Sequence, residues 1–274
     1  MNTGAGGLVP DALIVYHIAI SHSLLPPTRH LMPIISIDLA YTHYDDIGVA
    51  VLDERGDRIV VTFVSLRDAG LADPPSPDAC AMFIAEFAAQ LGTRVVLLDG
   101  PQGWKAPNNG LEHSRVCERE LHTPAKTGLP GLVKPAPYGP FVEFSIAVFD
   151  HLDGLSWPRL QQLALAGTSR GVAVESFPFA AWRALGIDPL PSKTKATADD
   201  VSSRASLLAD RFGLRLAAEP THDQLQAMVS GLGGLGLELE DGTRAAAAGI
   251  APALIDGTWR EGYIVTPRLD GWTR

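Results

Sequence analysis

The sequence has few cysteines, no excess of positive charge and no uninterrupted apolar run of membrane-spanning length. Its two cysteines, Cys80 and Cys117, lie outside any CxxC pattern or Cys/His cluster, which predicts free thiols in a reducing compartment. The formal net charge of −9 argues against tight, sequence-independent binding to duplex DNA, because such binding depends on neutralising phosphates. Apolar residues make up 46% of the 274 residues and charged residues 19%, as is typical of a soluble globular protein.

The N-terminal 31 residues lack the features of a membrane span or a signal peptide. Residues 8–25 are apolar but are interrupted by one aspartate and two histidines, whereas a spanning helix needs about 20 predominantly apolar residues. No lysine or arginine precedes Arg29, so the positive region of a signal peptide is missing. We expect residues 1–31 to be a poorly ordered extension of a cytoplasmic protein without a membrane partner. Residues 32–274 then form a single domain with a long insertion around residues 100–165.

The regular pattern begins with three β-rich runs, at residues 34–39, 47–53 and 58–64, which short turns connect. This spacing predicts an antiparallel meander. Residues 79–91 carry apolar side chains at helical spacing, and residues 93–99 contain four consecutive apolar residues that indicate a strand buried on both faces. A helix between two strands suggests a parallel crossover.

The second half of the chain alternates between helical and strand patterns. The predicted elements are a helical turn around 114–121, a strand at 171–176, and helices at 141–152, 179–185, 197–212 and 221–236. Together with the meander, they predict an α/β fold. Its mixed sheet has three antiparallel strands followed by parallel ones, with helices on both faces.

Carboxylates stand near the ends of three predicted strands, at Asp38, Asp99 and Glu175. In open α/β sheets, ligands bind at this edge. If the first and fourth strands are neighbours, Asp38 and Asp99 face each other across about 4.8 Å, where two bare carboxylates repel. The positive charge of a divalent cation removes this repulsion, and Mg²⁺ prefers oxygen ligands such as carboxylates. Two such ions would stabilise the attacking and the leaving oxygen of a phosphodiester displacement. Asp223, at a helix start, could supply a further oxygen.

Each of these acids also has an ordinary structural interpretation. A lone aspartate at a strand end is often a turn former or a helix cap, and Asp223 could be the N-cap or a first-turn acid of its helix. Glu175 could pair with Arg183 or Arg204. His222, beside Asp223, could be a general base, a metal ligand or a solvated residue. The residues by themselves leave these alternatives open.

Several basic residues could contact the phosphates of a substrate or lie on solvated faces: Arg115, Arg119, Lys193, Lys195 and Arg204. The glycine-rich residues 231–236 follow no strand, so they are not a nucleotide-binding fingerprint. Close helix-to-helix packing or a loose helix end explains them better.

The sequence resembles the DUF429 family, predicted nucleases of the ribonuclease H-like superfamily. The similar motifs run in the expected order over about residues 34–267. They are Ile37-Asp38-Leu39-Ala40, Leu98-Asp99-Gly100-Pro101-Gln102-Gly103, Arg115-Val-Cys-Glu-Arg-Glu-Leu121, Glu175-Ser-Phe-Pro178, Ala181-Trp182-Arg183, the stretch from Lys195 to Leu208, His222-Asp223-Gln-Leu-Gln-Ala227 and Glu261-Gly262-Tyr.

The resemblance implies a ribonuclease H-like fold and a metal-dependent nuclease with nucleic acid as its substrate. It implies that one or two Mg²⁺ or Mn²⁺ ions are held by Asp38, Asp99 and Glu175, together with Asp223 from the helix at 221–236. Gln226 departs from the pattern, because it stands where the family usually shows a second acid.

Two other functions remain open from the sequence. A non-catalytic binding protein with a degenerate site is favoured by Gln226 and by the net negative charge. An ATP-handling protein of the actin and sugar-kinase type would need a glycine-rich phosphate loop after the first strand. Residues 41–46 contain no glycine, which counts against that function.

Overall fold

The computed structural model describes residues 31–165, 171–239 and 242–272. The predicted N-terminal extension lies outside the described residues except for Leu31. The strands are β1 (Ile34–Asp38), β2 (Gly48–Arg55), β3 (Arg58–Val64), β4 (Val95–Asp99), β5 (Lys126–Thr127), β6 (Val133–Lys134), β7 (Val172–Ser176), β8 (Leu214–Leu216), β9 (Ala245–Ile255) and β10 (Thr258–Pro267). The helices are α1 (Pro77–Leu91), α2 (Val116–Leu121), α3 (Gly139–Gly154), α4 (Pro178–Ala184), α5 (Ala198–Phe212) and α6 (His222–Leu239).

Eight of the strands form one mixed sheet in the order β8-β3-β2-β1-β4-β7-β10-β9. β1, β2 and β3 are the predicted antiparallel meander, and β4 and β7 follow in parallel on the other side of β1. β10 is parallel to β7, and β9 closes that edge as its antiparallel partner. The arrangement confirms the predicted ribonuclease H-like fold class.

Helices cover both faces of the sheet, so its central strands are buried on both sides. On one face, side chains such as Ile34, Leu97 and Val174 pack with residues of α4, α5 and α6. On the other face, side chains such as Ile35 and Val96 pack with residues of α1 and α3. Alternate residues of one strand therefore enter different cores, which explains why these strands are apolar without alternation. No described helix is both long and apolar enough to cross a membrane.

α6 lies against the sheet, and its glycines allow the close approach. A Cβ atom at Gly231 would lie 2.5 Å from Leu52 Cδ1, and one at Gly234 would lie 2.2 Å from Leu97 Cδ1. The expectation of helix-to-helix packing or a loose helix end is therefore wrong. These glycines face strands. They are glycines because the helix backbone lies too close to the sheet for a larger side chain.

The sequence pattern missed β8 and the β9–β10 hairpin. β9 reads AAAAGIAPALI and is rich in alanine, which has a low preference for strands. β9 pairs with β10 from Thr258↔Ile255 to Pro267↔Ala245. This pairing stabilises a strand that the local sequence does not favour.

Candidate carboxylate site

Asp38 and Asp99 occupy matched positions at the carboxyl ends of two neighbouring parallel strands, β1 and β4. On the next strand, β7, the residue in register with Asp99 is Ser176. Side chains in register on neighbouring strands point to the same face of a sheet. Asp38, Asp99 and Ser176 therefore form a row on the face that α6 covers.

The two carboxyl groups of the row are close enough to share a proton, with which Asp38 would donate a hydrogen bond to Asp99. Both side chains are half-buried. Burial, followed by the nearby charges of Asp99 and Asp223, raises the pKa of Asp38 well above its usual range. Burial and the charge of Glu175 raise the pKa of Asp99 to about 7, although the hydrogen bond from Asp38 opposes that shift. The pair consequently retains a proton near neutral pH.

The start of α6 brings a third acid, Asp223, to this pair. Thr221 caps the helix, since its Oγ1 accepts from the Gln224 amide while its own amide donates to Gln224 Oε1. Gly48, the partner of Asp38 on β2, makes the approach possible. A Cβ atom at Gly48 would lie 2.1 Å from the backbone carbonyl carbon of Asp223, so any side chain there would push the helix start away.

Two basic side chains bind the Asp223 carboxylate. Lys193 Nζ lies 2.5 Å from Asp223 Oδ2 and 2.6 Å from Asp46 Oδ1, and therefore joins the β1–β2 turn to α6. His222 Nδ1 lies 2.9 Å from Asp223 Oδ1, and His222 Nε2 lies 2.9 Å from the Pro191 carbonyl oxygen. The hydrogen bond to Asp223 raises the pKa of His222. His222 is thus held between Asp223 and the Pro191 carbonyl group, and it is not a solvated residue.

Glu175 does not join this row, which corrects the expected set of four acids. Glu175 is in register with Leu98, so it points to the opposite face of the sheet from Asp99. Both of its carboxylate oxygens bind Arg115, at 2.6 and 2.7 Å, and the Gln102 amide donates to the same carboxylate at 3.0 Å. Metal binding by Glu175 would require this buried ion pair to break.

The predicted substrate-binding residues are placed differently from one another. Arg115 is 1% exposed and holds Glu175 and Glu118, so it cannot reach a substrate. Arg204 donates to Asp200 on its own helix and to the Asp188 and Pro189 carbonyl groups, so it is not the partner of Glu175, and its contact with phosphates stays a prediction. Arg119 and Lys195 are exposed, and their contact with a substrate stays a prediction.

Gln226 is bound by a residue of α4. Its Oε1 accepts a hydrogen bond of 2.7 Å from Trp182 Nε1, and Trp182 is fully buried. A buried indole N–H needs an acceptor. The residue that departs from the family pattern thus satisfies a core tryptophan.

Glu261, which the sequence showed only as part of a motif, is a second buried acid that anchors the segment after Asp99. It is buried at φ 59, beside an irregularity in the pairing of β10. Its carboxylate accepts from the Ala106 and Val116 amides and from Asn109 Nδ2. Glu261 and Glu175 therefore hold the segment that follows Asp99 against the sheet.

The side chains of the row fit a small divalent cation. Such ions prefer oxygen ligands and are commonly held by one or two carboxylates with water. Ser176 Oγ, which is buried and has no hydrogen-bond partner among the described residues, provides a further oxygen in register with Asp99. Among the residues that the structure describes, no three His, Cys, Asp or Glu side chains already converge on a metal position. The geometry accordingly fits one ion held by Asp38 and Asp99 better than a preformed site for two ions.

No family model and no curated protein matches the chain. Among solved structures, the chain is similar to Thermus thermophilus RuvC, with a TM-score of 0.38 and 12% identity over 76% of this chain and 96% of that one. It is also similar to T. thermophilus RuvC in complex with a Holliday junction substrate, with a TM-score of 0.36 and the same identity and coverage. Both TM-scores are low, so the function proposed below rests on the side chains of the site.

Proposed function

We propose that this protein is a metal-dependent phosphodiesterase, most simply a nuclease that uses Mg²⁺ or Mn²⁺. The observation that carries the proposal is the in-register pair of Asp38 and Asp99, with Asp223 next to Asp38 at the start of α6. The two strand-end acids lie at the carboxyl edge of the sheet, where α/β proteins bind ligands, and the charge of Asp223 acts on Asp38 from the start of α6.

The roles of the residues follow from their positions. Asp38 and Asp99 would hold the cation and orient its water ligands, and Asp223 would add a third carboxylate from α6. A bound divalent cation supplies positive charge for a phosphoryl oxygen and lowers the pKa of a water molecule. Glu175 and Arg115 would act indirectly, because their ion pair keeps the segment after Asp99 in place.

The turn after β1 disfavours ATP as the ligand. In actin-type proteins, glycine-rich phosphate loops follow the first strand, whereas here residues 41–46 contain no glycine and end in Asp45 and Asp46. Carboxylates at that position would repel the phosphates of a nucleotide. The set of oxygen donors and the motif resemblance support a nuclease instead.

A cleavage assay with a panel of RNA and DNA substrates tests the proposal. We expect cleavage that requires Mg²⁺ or Mn²⁺ and falls on the order of 100-fold or more in Asp38→Asn, because that change removes the charge of a ligand. Asp57→Asn, in the exposed β2–β3 turn, is the matched control and should retain activity. Cleavage that survives Asp38→Asn unchanged would sink the proposal.

Calorimetric titration with Mn²⁺ separates the nuclease from a binding protein with a degenerate site. A nuclease should bind Mn²⁺ and cleave, with both properties lost in Asp38→Asn. Binding without cleavage of any substrate would favour the non-catalytic protein. The absence of Mn²⁺ binding would remove the metal site altogether.

A further inference from the structure

Lys193 makes a bridge between two carboxylates of very different exposure. Its ammonium group lies 2.5 Å from Asp223 Oδ2 and 2.6 Å from Asp46 Oδ1. The Asp223 side chain is 9% exposed, whereas those of Asp46 and Lys193 are 38% and 49% exposed. Lys193 thus enters the site from the solvent side and reaches a buried acid.

The Lys193 ammonium and a divalent cation would compete for Asp223. Lys193 neutralises Asp223 directly, and its charge also acts on Asp38. Two positive charges that share one carboxylate repel each other, and the repulsion is stronger in a partly buried site than in water. A cation that engages Asp223 should therefore displace Lys193 from it.

Displacement would leave Lys193 at the mouth of the site rather than free in solvent. Asp46 lies in the short helix Tyr44–Asp46 between β1 and β2, and its carboxylate can retain the ammonium on the exposed side. Lysine is a flexible point charge that suits phosphate oxygens. Because Lys193 lies on the solvent side of the acids, its ammonium group would face a phosphate that approaches the cation from solvent.

We propose that Lys193 exchanges partners, binding Asp223 in the metal-free protein and a phosphate of the nucleic-acid substrate once a divalent cation is held by the acids. This inference rests on the proposed function. It makes Lys193 a substrate-binding residue that also weakens metal binding in the absence of substrate. The two roles predict effects of opposite sign when the lysine charge is removed.

The test compares Lys193→Met with wild type in two binding measurements. Calorimetry should show Mn²⁺ binding roughly three- to tenfold tighter in Lys193→Met, because the competing charge is gone. Anisotropy of a fluorescent single-stranded oligonucleotide in Ca²⁺ should show binding roughly three- to tenfold weaker, because one phosphate contact is lost. Lys193→Arg, which keeps the charge, should change the Mn²⁺ affinity less.

Lys134→Met is the charge-matched control, since Lys134 is exposed on β6 and the substitution removes the same positive charge. It should leave the Mn²⁺ affinity unchanged. Thermal unfolding in EDTA confirms that each variant is folded. If Lys193→Met fails to tighten Mn²⁺ binding, or tightens it without weakening the oligonucleotide, the exchange is wrong while the proposed nuclease stands. If wild type binds no Mn²⁺, the proposed function and this inference fail together.

Discussion

At the scale of single residues, the proton shared by Asp38 and Asp99 is the most consequential feature of the site. Burial and mutual repulsion make two adjacent carboxylates unfavourable, so one of them stays protonated in the metal-free protein. A divalent cation must displace that proton. Metal binding and the protonation of the pair are therefore linked.

This linkage predicts how stability depends on pH in EDTA. The folded pair, with the pKa of Asp99 at about 7, keeps a proton that the unfolded chain releases near the ordinary carboxylate range. The stability that the retained proton gives the folded protein is thus fully present at low pH, and it is lost as the pH rises toward about 7. Urea unfolding should show a larger loss of stability from about pH 5.5 to about pH 8 in wild type than in the Asp38→Asn/Asp99→Asn double variant. Equal losses in the two proteins would contradict the shared proton.

At the scale of elements, the contact between β2 and the start of α6 decides whether the third acid reaches the pair. Gly48 is the partner of Asp38, and the backbone of Asp223 lies directly against it. Gly231 and Gly234 extend this close contact between α6 and the sheet along the helix. The position of Asp223 is therefore a property of helix-on-sheet packing.

Gly48→Ala should both destabilise the protein and weaken the metal site. A Cβ atom there would overlap the Asp223 backbone, and overpacking of this kind costs about 1–3 kcal/mol. Chemical denaturation and Mn²⁺ calorimetry measure the two effects. Gly154→Ala, at the end of α3, is the control, since a Cβ atom there meets nothing within 4 Å. Normal Mn²⁺ affinity in Gly48→Ala would show that Asp223 does not contribute to the site.

At the scale of the whole molecule, the charge balance limits how a nucleic acid can be held. The chain has 22 lysines and arginines against 31 acids, and two of the expected substrate contacts, Arg115 and Arg204, are occupied by carboxylates. Binding should then depend on the cation and on few direct phosphate contacts.

The salt dependence of oligonucleotide binding measures this directly. Each neutralised phosphate of a single strand contributes a slope of about −0.7 to a plot of log affinity against log salt. We expect a total slope between about −1 and −2 in Ca²⁺, and weak binding in EDTA. A much steeper slope, retained in EDTA, would indicate a basic surface unrelated to the acids.

Local sequence patterns were sufficient to predict the meander, the fourth strand and the helix α1 between them. β3 spans the predicted residues 58–64, because β-branched side chains and flanking turns specify such a run locally. The sequence also placed Asp38 and Asp99 at the ends of apolar strands, and the parallel pairing of β1 with β4 brings the two residues together.

The other residues of the site could be identified only from the packing of the whole chain. The register between β4 and β7 places Ser176 beside Asp99 and turns Glu175 to the other face, because a shift of one residue reverses the face of a strand. Lys193 reaches Asp46 and Asp223 across 147 and 30 residues of sequence, and no local pattern encodes such a contact. Strand register and long-range ion pairs depend on how the whole chain packs, and that packing is what distinguishes the acids that share a site from the acid that anchors a loop.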